Sequence, residues 1–125
     1  MTELEKTPTE LVEIAAAAAS EKKAQHIVIM DMHKVLPVTD YFLVASGAST
    51  VQVQAIAEAI EEKVEAAGLK ILHKEGYREA RWVLLDYGVF VAHLFVNEER
   101  QFYNLEQLWS SAPTHEYEDQ DLMNP

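Results

Sequence analysis

Arg81–Phe95 reads RWVLLDYGVFVAHLF. Two runs of aliphatic and aromatic residues flank Asp86-Tyr87-Gly88, and Asp and Gly are residues that tight turns favour. The segment predicts a β-hairpin. A two-residue turn at Tyr87-Gly88 sets Asp86 opposite Val89, Leu84 opposite Val91 and Trp82 opposite His93. Side chains opposed across a strand pair share a face. One face then carries Val83, Leu85, Phe90, Ala92 and Leu94, which is wholly apolar and must be core. The other carries Trp82, Leu84, Val91 and His93, with Asp86 at the turn end. That mixture suits a protein-docking surface, where Trp is a frequent anchor. It suits equally a face covered by a helix, with His93 bonded inside. The pattern leaves both open.

Outward from the hairpin, the elements follow from periodicity and caps. ASTVQVQAIAEAIEEKVEAAG predicts a helix capped by Ser49 or Thr50, with Val53, Ile56, Ile60, Val64 and Ala67 on one face. Gly68 stands where a left-handed C-terminal cap belongs. TPTELVEIAAAAASEKK predicts an earlier helix, with Thr7 as cap, Pro8 at the first helical position and Glu10 completing a capping box. The apolar run Ile27 to Met30 reads as a strand buried on both faces. Pro37 marks a loop, Tyr41–Gly47 a second strand, and LKILHKEG a third. After the hairpin, Asn97 is expected to cap a last helix, EERQFYNLEQLWSS, that packs Phe102, Leu105 and Trp109 on the sheet. The resulting fold class is α/β (α+β), a mixed five-stranded sheet covered by helices. Residues 1–6 are expected to fray, 7–111 to form one domain, and the acidic 112–125 to be a flexible tail.

At 125 residues and 49% hydrophobic content, the chain suits one domain with a real core. It has no cysteine, which excludes thiol catalysis, cysteine-ligated zinc and disulfides. No apolar run is long enough to span a membrane, and the acidic start MTELEKTPTE lacks the basic character of a targeting peptide. A cytoplasmic protein is expected. The net charge is −11, from 21 acids and 10 bases. That balance disfavours gripping a nucleic-acid backbone. It fits a basic protein partner, and it also fits plain solubility.

Few constellations carry chemistry. VASGAST leads from a strand into a helix, a place where free N–H groups can hold an anion. A nucleotidyltransferase would add paired acids for two metals. Only Asp86 is a candidate, with Gly88 where the second acid should stand. A tight turn with a helix cap is the better reading of VASGAST. The histidines His26, His33, His73, His93 and His115 show no metal-ligand spacing. There is no Gly-x-Ser-x-Gly elbow.

The hairpin and the segment after it share a longer pattern. It runs Trp-x-x-x-Asp-x-Gly, apolar residues and His, then Arg-x-x-Tyr-x-Leu-Glu-x-Leu-Trp. The chain supplies Trp82, Asp86, Gly88, His93, Arg100, Tyr103, Leu105, Glu106, Leu108 and Trp109. Thr39, Asp40, Gly47 and Ser49 match upstream, as does AAGLK. From Leu11 to Trp109, in order and spacing, the chain resembles the ribosomal silencing factor (Iojap-related) family. The resemblance implies a nucleotidyltransferase-like core without catalytic acids, no enzymatic activity, and no cofactor or metal. It implies binding to the large ribosomal subunit through its fourteenth protein, a basic β-barrel. Joining of the small subunit is thereby blocked when nutrients are scarce. It also implies a homodimer when free, with no DNA or membrane partner. The contact surface carried over is Trp82, Asp86, His93 and Tyr103, whereas Arg100 and Glu106 fit a structural role. Whether His93 touches the partner or steadies Trp82 stays open. The alternatives are a large-subunit assembly factor and a nucleotidyltransferase-like enzyme using SGAST and Asp86.

Overall fold

The computed structural model describes residues 6–117. The expected fraying of residues 1–5 and the tail beyond residue 117 lie outside the described residues. Helix α1, Pro8–Glu21, starts as its sequence dictates. Thr7 Oγ1 accepts from the Glu10 N–H at 3.1 Å, and Glu10 Oε1 accepts from the Thr7 N–H at 2.9 Å. Two of the donors that every helix start leaves open are thus satisfied reciprocally. Helix α2, Thr50–Ala66, is capped by Ser49 and ends at Gly68, whose φ of +100° a residue with a Cβ adopts only at a cost. Among the described residues, no helix is long and apolar enough to cross a membrane.

The strands are β1 Gln25–Asp31, β2 Tyr41–Gly47, β3 His73–Glu75, β4 Trp82–Asp86, β5 Phe90–Val96 and β6 Thr114–Glu116. They form one mixed sheet in the order β3-β4-β5-β2-β1-β6. The central pair, β2 and β5, is parallel, and every other pairing is antiparallel. The sheet has six strands where five are expected. β6 is only three residues, all exposed, so it carries no periodic signal, and it forms by pairing with β1. Thr114–Glu116 therefore belongs to the sheet and not to a tail. β3 shrinks to three exposed residues at the opposite edge.

The hairpin folds with its turn one residue later than expected. The Tyr87 N–H donates to the Phe90 carbonyl, which leaves Gly88 and Val89 as the two turn residues. Gly88 has φ +84° and takes the first turn position, where hairpin turns demand a positive φ. The Asp86 Oδ1 accepts from the Gly88 N–H at 2.8 Å and steadies the reversal. The pairs are consequently Asp86 with Val91, Leu84 with His93 and Trp82 with Phe95. A slip of two residues preserves the face of every side chain, because strand periodicity is two. The division into an apolar and a mixed face therefore survives the slip. Tyr87 leaves the turn and stacks on Phe90 at 4.9 Å, only 3% exposed.

Both long helices cover the apolar face. Leu11, Val12 and Ala15 of α1 and Val53, Ile56 and Ile60 of α2 pack there with Leu43, Val83, Leu85, Phe90 and Leu94. The other face is covered only in part. The last helical segment breaks at Asn104, which has left-handed φ 46° and ψ 59°. The break gives α3 Asn97–Tyr103 and α4 Leu105–Leu108. Asn97 is the first helical residue, and Val96 stands at the cap with no side-chain bond. Leu105 and Trp109 pack over Val28, Met30, Phe42, Val44 and Phe95, joined by Val35 and Leu36 of the β1–β2 loop. Phe102, expected in the core, is 79% exposed, because the break at Asn104 takes it off the face that Leu105 and Trp109 share.

Candidate functional site

The loop between β2 and α2 is tied down by its own side chains. Ser49 Oγ accepts from the Gln52 N–H, and Gln52 Oε1 accepts from the Ala48 N–H at 2.6 Å. Gln52 Nε2 donates to the Lys22 and Lys23 carbonyls, so its amide ties the α2 start to the α1 end. A Cβ at Gly47 would sit 3.1 Å from a Val53 methyl, which explains the glycine by packing. Asp86 lies far from this loop. Gly47 is level with Val96 on β5, whereas Asp86 is level with Val91. That separation is about 16 Å along the strands at ~3.3 Å per residue. The loop and the acid that a nucleotidyl-transfer site would need to combine stand at opposite ends of the sheet.

Two further acids at strand ends, Asp31 and Asp40, are engaged with a histidine. His33 Nδ1 is 2.6 Å from Asp31 Oδ1, and its Nε2 is 3.3 Å from Asp40 Oδ1. The hydrogen bond to Asp31 raises the His33 pKa above its ordinary value, and the Asp31 pKa is lowered by the same bond. Among the described residues, no group of three His, Asp or Glu side chains is placed to hold a metal.

The mixed face of the hairpin is where unusual residues converge. β4 presents Trp82, Leu84 and Asp86 there, all half-buried, and β5 presents Val91, His93 and Phe95. Glu75 of β3 is opposite Leu84 and His73 is opposite Asp86, which extends the face to the sheet edge. The Trp82 indole stacks on Phe95 with ring centroids 4.9 Å apart and meets Tyr103 of α3 at 4.6 Å. Phe102 stands edge-on to Tyr103 at 5.1 Å. Tyr103 is 43% exposed and Leu108 67% exposed. The result is an aromatic and aliphatic patch with one margin on the sheet and the other on α3 and α4. Exposed Glu75 and half-buried Asp86 stand at its edges. Contiguous apolar surface of this kind, rimmed by polar groups, marks interaction sites.

Two arginines hold α3 in place. Arg81 reaches Glu99 at 2.6 Å and ties β4 to α3. Arg100 is 9% exposed and donates to the His26 carbonyl at 2.5 Å, to Ser46 Oγ at 2.8 Å and to both Glu106 oxygens at 3.1 and 2.9 Å. A forked guanidinium suits this use, since one side chain bonds strands β1 and β2 and helix α4 together. The structural reading of Arg100 and Glu106 agrees with this geometry.

The four residues taken from the sequence pattern do not play equal parts. Trp82 and Tyr103 touch and share the patch. Asp86 lies about 13 Å from Trp82 along β4 at ~3.3 Å per residue and closes the turn. His93 is 6% exposed, and its Nδ1 lies 3.2 Å from the Trp82 indole nitrogen. Burial pushes its pKa down to about 4, so the ring is neutral at physiological pH. Sequence reasoning missed Phe102, which its helical spacing assigned to the core. It also missed Glu75, whose place beside Leu84 follows from the pairing of β3 with β4.

A sequence profile described as "Ribosomal silencing factor during starvation" matches residues 5–124. The chain belongs to the ribosomal silencing factor family. It is 47% identical over 103 residues to the ribosomal silencing factor RsfS of Bacillus subtilis, covering 82% of this chain and 87% of the relative. It is 44% identical over 109 residues to the RsfS of Halalkalibacterium halodurans, covering 87% and 93%. A crystal structure of a Chromobacterium violaceum protein superposes with a TM-score of 0.82 at 31% identity, over 84% of this chain and 88% of that one. For a ribosomal silencing factor, the apolar patch is the feature of this surface that helix packing leaves unused.

Proposed function

We propose that the chain represses translation by binding the large ribosomal subunit through its fourteenth protein and sterically blocking the small subunit. The observation that carries the reading is the partly uncovered sheet face. A patch built on Trp82, Leu84, Val91 and Tyr103 is edged by Asp86 and Glu75 on a chain of net charge −11. Such a surface complements a basic β-barrel: the aromatic centre supplies contact area, and the acids guide encounter. Blocking requires only bulk and affinity. An interface of the standard size, about 1,600 Å² in total, is enough for stable binding. In this reading the protein is cytoplasmic and has no catalytic role. In the free protein the same patch closes on a second copy, and that homodimer opens to bind.

The test is sedimentation with isolated large subunits at moderate salt, followed by the yield of joined ribosomes. Co-pelleting and a reduced yield are expected. Failure to pellet with large subunits refutes the reading. An assembly role shares the partner and differs in timing, so accumulation of immature large subunits in a depleted strain would favour it instead. The enzyme reading predicts that nucleotide with magnesium raises the melting temperature, because a ligand of the native state stabilises it. No shift at millimolar nucleotide is expected, given the distance between Gly47 and Asp86.

A further inference from the structure

His93 is an expensive choice for its position. It faces Leu84 across the hairpin, and the rings of Phe42 and Phe95 lie 4.6 and 6.4 Å away. An aliphatic side chain would fill this space without a desolvation penalty. Its only side-chain hydrogen bond among the described residues joins it to Trp82: the indole Nε1–H donates to His93 Nδ1 at 3.2 Å. An indole can only donate, so Nδ1 must be the unprotonated nitrogen and Nε2 carries the hydrogen. That Nε2–H is buried and has no hydrogen-bond partner among the described residues. A buried donor left unpaired costs more than an average hydrogen bond returns. Local rules are broken in this way where a site requires it.

The requirement lies in Trp82. Phe95 stacks on one of its faces, and Tyr103 adjoins it, but both contacts tolerate sliding or a ring flip. The bond to Nδ1 acts on the one polar atom of the indole and is directional. We infer that His93 is a positioning residue: by accepting from Trp82 Nε1 it holds the indole in the orientation in which the patch docks, and it does not itself touch the partner. An anchor ordered before encounter loses less side-chain entropy on binding. The inference deepens the proposed docking function and rests on it, while the orientation of Trp82 can be read without any ribosome.

The experiment uses the full chain and three forms of residue 93. His93→Leu removes the acceptor. His93→Asn restores one at the same place, since its Oδ1, like Nδ1, is attached to Cγ. Nuclear magnetic resonance reads the Trp82 indole N–H, assigned with Trp109→Phe. In wild type and His93→Asn it is expected to be shifted and protected from solvent exchange, and in His93→Leu to exchange freely. Affinity for large subunits is expected to fall about fivefold to tenfold in His93→Leu, in line with the net worth of one such bond, and to return towards wild type in His93→Asn. The melting temperature of His93→Leu is expected to be no lower than that of wild type, which a structural role alone would not allow. Should that variant fail to fold, His93→Phe takes its place as the apolar form. Wild-type binding by the apolar variant, or equal weakness of both variants, overturns the inference. If wild type itself does not bind large subunits, the docking function fails separately. The indole signal then decides, and an unchanged signal in the apolar variant overturns the positioning role.

Discussion

Trp82 is half-buried, so truncating it acts on two properties at once. The indole stacks on Phe95 and Tyr103 from within and forms the centre of the patch from without. For Trp82→Ala, affinity for large subunits is expected to fall about thirtyfold or more, as for a central aromatic anchor. Stability should fall by about 1–3 kcal/mol, less than for a fully buried aromatic. Urea unfolding and sedimentation measure the two separately, and unchanged binding would remove Trp82 from the interface. His93 adds a pH dependence whose sign follows from its burial. Its folded pKa, about 4, lies below the ordinary 6.5, so between these values the unfolded chain takes up a proton that the folded chain refuses. Stability is therefore complete above about pH 6.5 and declines as the pH falls towards 4. At about 1.4 kcal/mol per pH unit, the loss reaches up to about 3 kcal/mol. Denaturant melts at a series of pH values should show this decline in wild type and flatten it in His93→Asn. His33 acts in the opposite sense. Its raised pKa gives stability that is complete below its ordinary value and is lost as the pH rises through the raised one.

Among the elements, the short helices α3 and α4 decide what the mixed face offers. They carry Tyr103, Phe102 and Leu108, and few apolar side chains hold them down. Arg100 compensates by joining them to β1 and β2 through the His26 carbonyl, Ser46 and Glu106. Arg100→Met is expected to cost about 2–3 kcal/mol, because bonds to a charged donor are lost and their acceptors are left in a half-buried site. Amide exchange should rise across residues 97–108 and stay unchanged in α1 and α2. Exchange that rises uniformly would mean that Arg100 supports the whole fold and not this element. The β3–β4 connection is tight in a different way. Gly76 has φ +78°, and a Cβ there would approach the Trp82 carbonyl to 2.1 Å. The backbone that aims Trp82 thus depends on the glycine that ends LKILHKEG.

For the molecule as a whole, charge and shape divide the work. The acids are spread over the chain, and the apolar patch is confined to one region of one sheet face. If the acids guide encounter while the patch holds the complex, raising salt should slow association about tenfold or more and leave dissociation nearly unchanged. Stopped-flow association with large subunits at several ionic strengths measures this. Association that is indifferent to salt would remove the acidic surface from the account. The parts that the enzyme reading would combine are set apart in the same sheet. Gln52 ties the helix-start loop to the end of α1, and Asp86 stands at the far end of the sheet.

Much of the fold is legible in the sequence because its signals are short-range. The Thr7–Glu10 box, the Ser49 cap, Gly68 and the Ile27–Met30 run act within a few residues and fold as written. The two faces of the hairpin are legible for a similar reason, since a period of two survives a register slip of two. The family pattern likewise names Trp82 and Tyr103 without any coordinates. Other features depend on residues far apart in the chain. β6 exists only by pairing with β1, and Phe102 is exposed because Asn104 bends the chain. His93 is buried beside Trp82, a placement that the hairpin pattern left open. Periodicity tells which side chains share a face, but the cover over that face depends on where distant segments are anchored. Here Arg100 fixes α3 and α4 over β1, β2 and β5, and Trp82 on β4 is left half open.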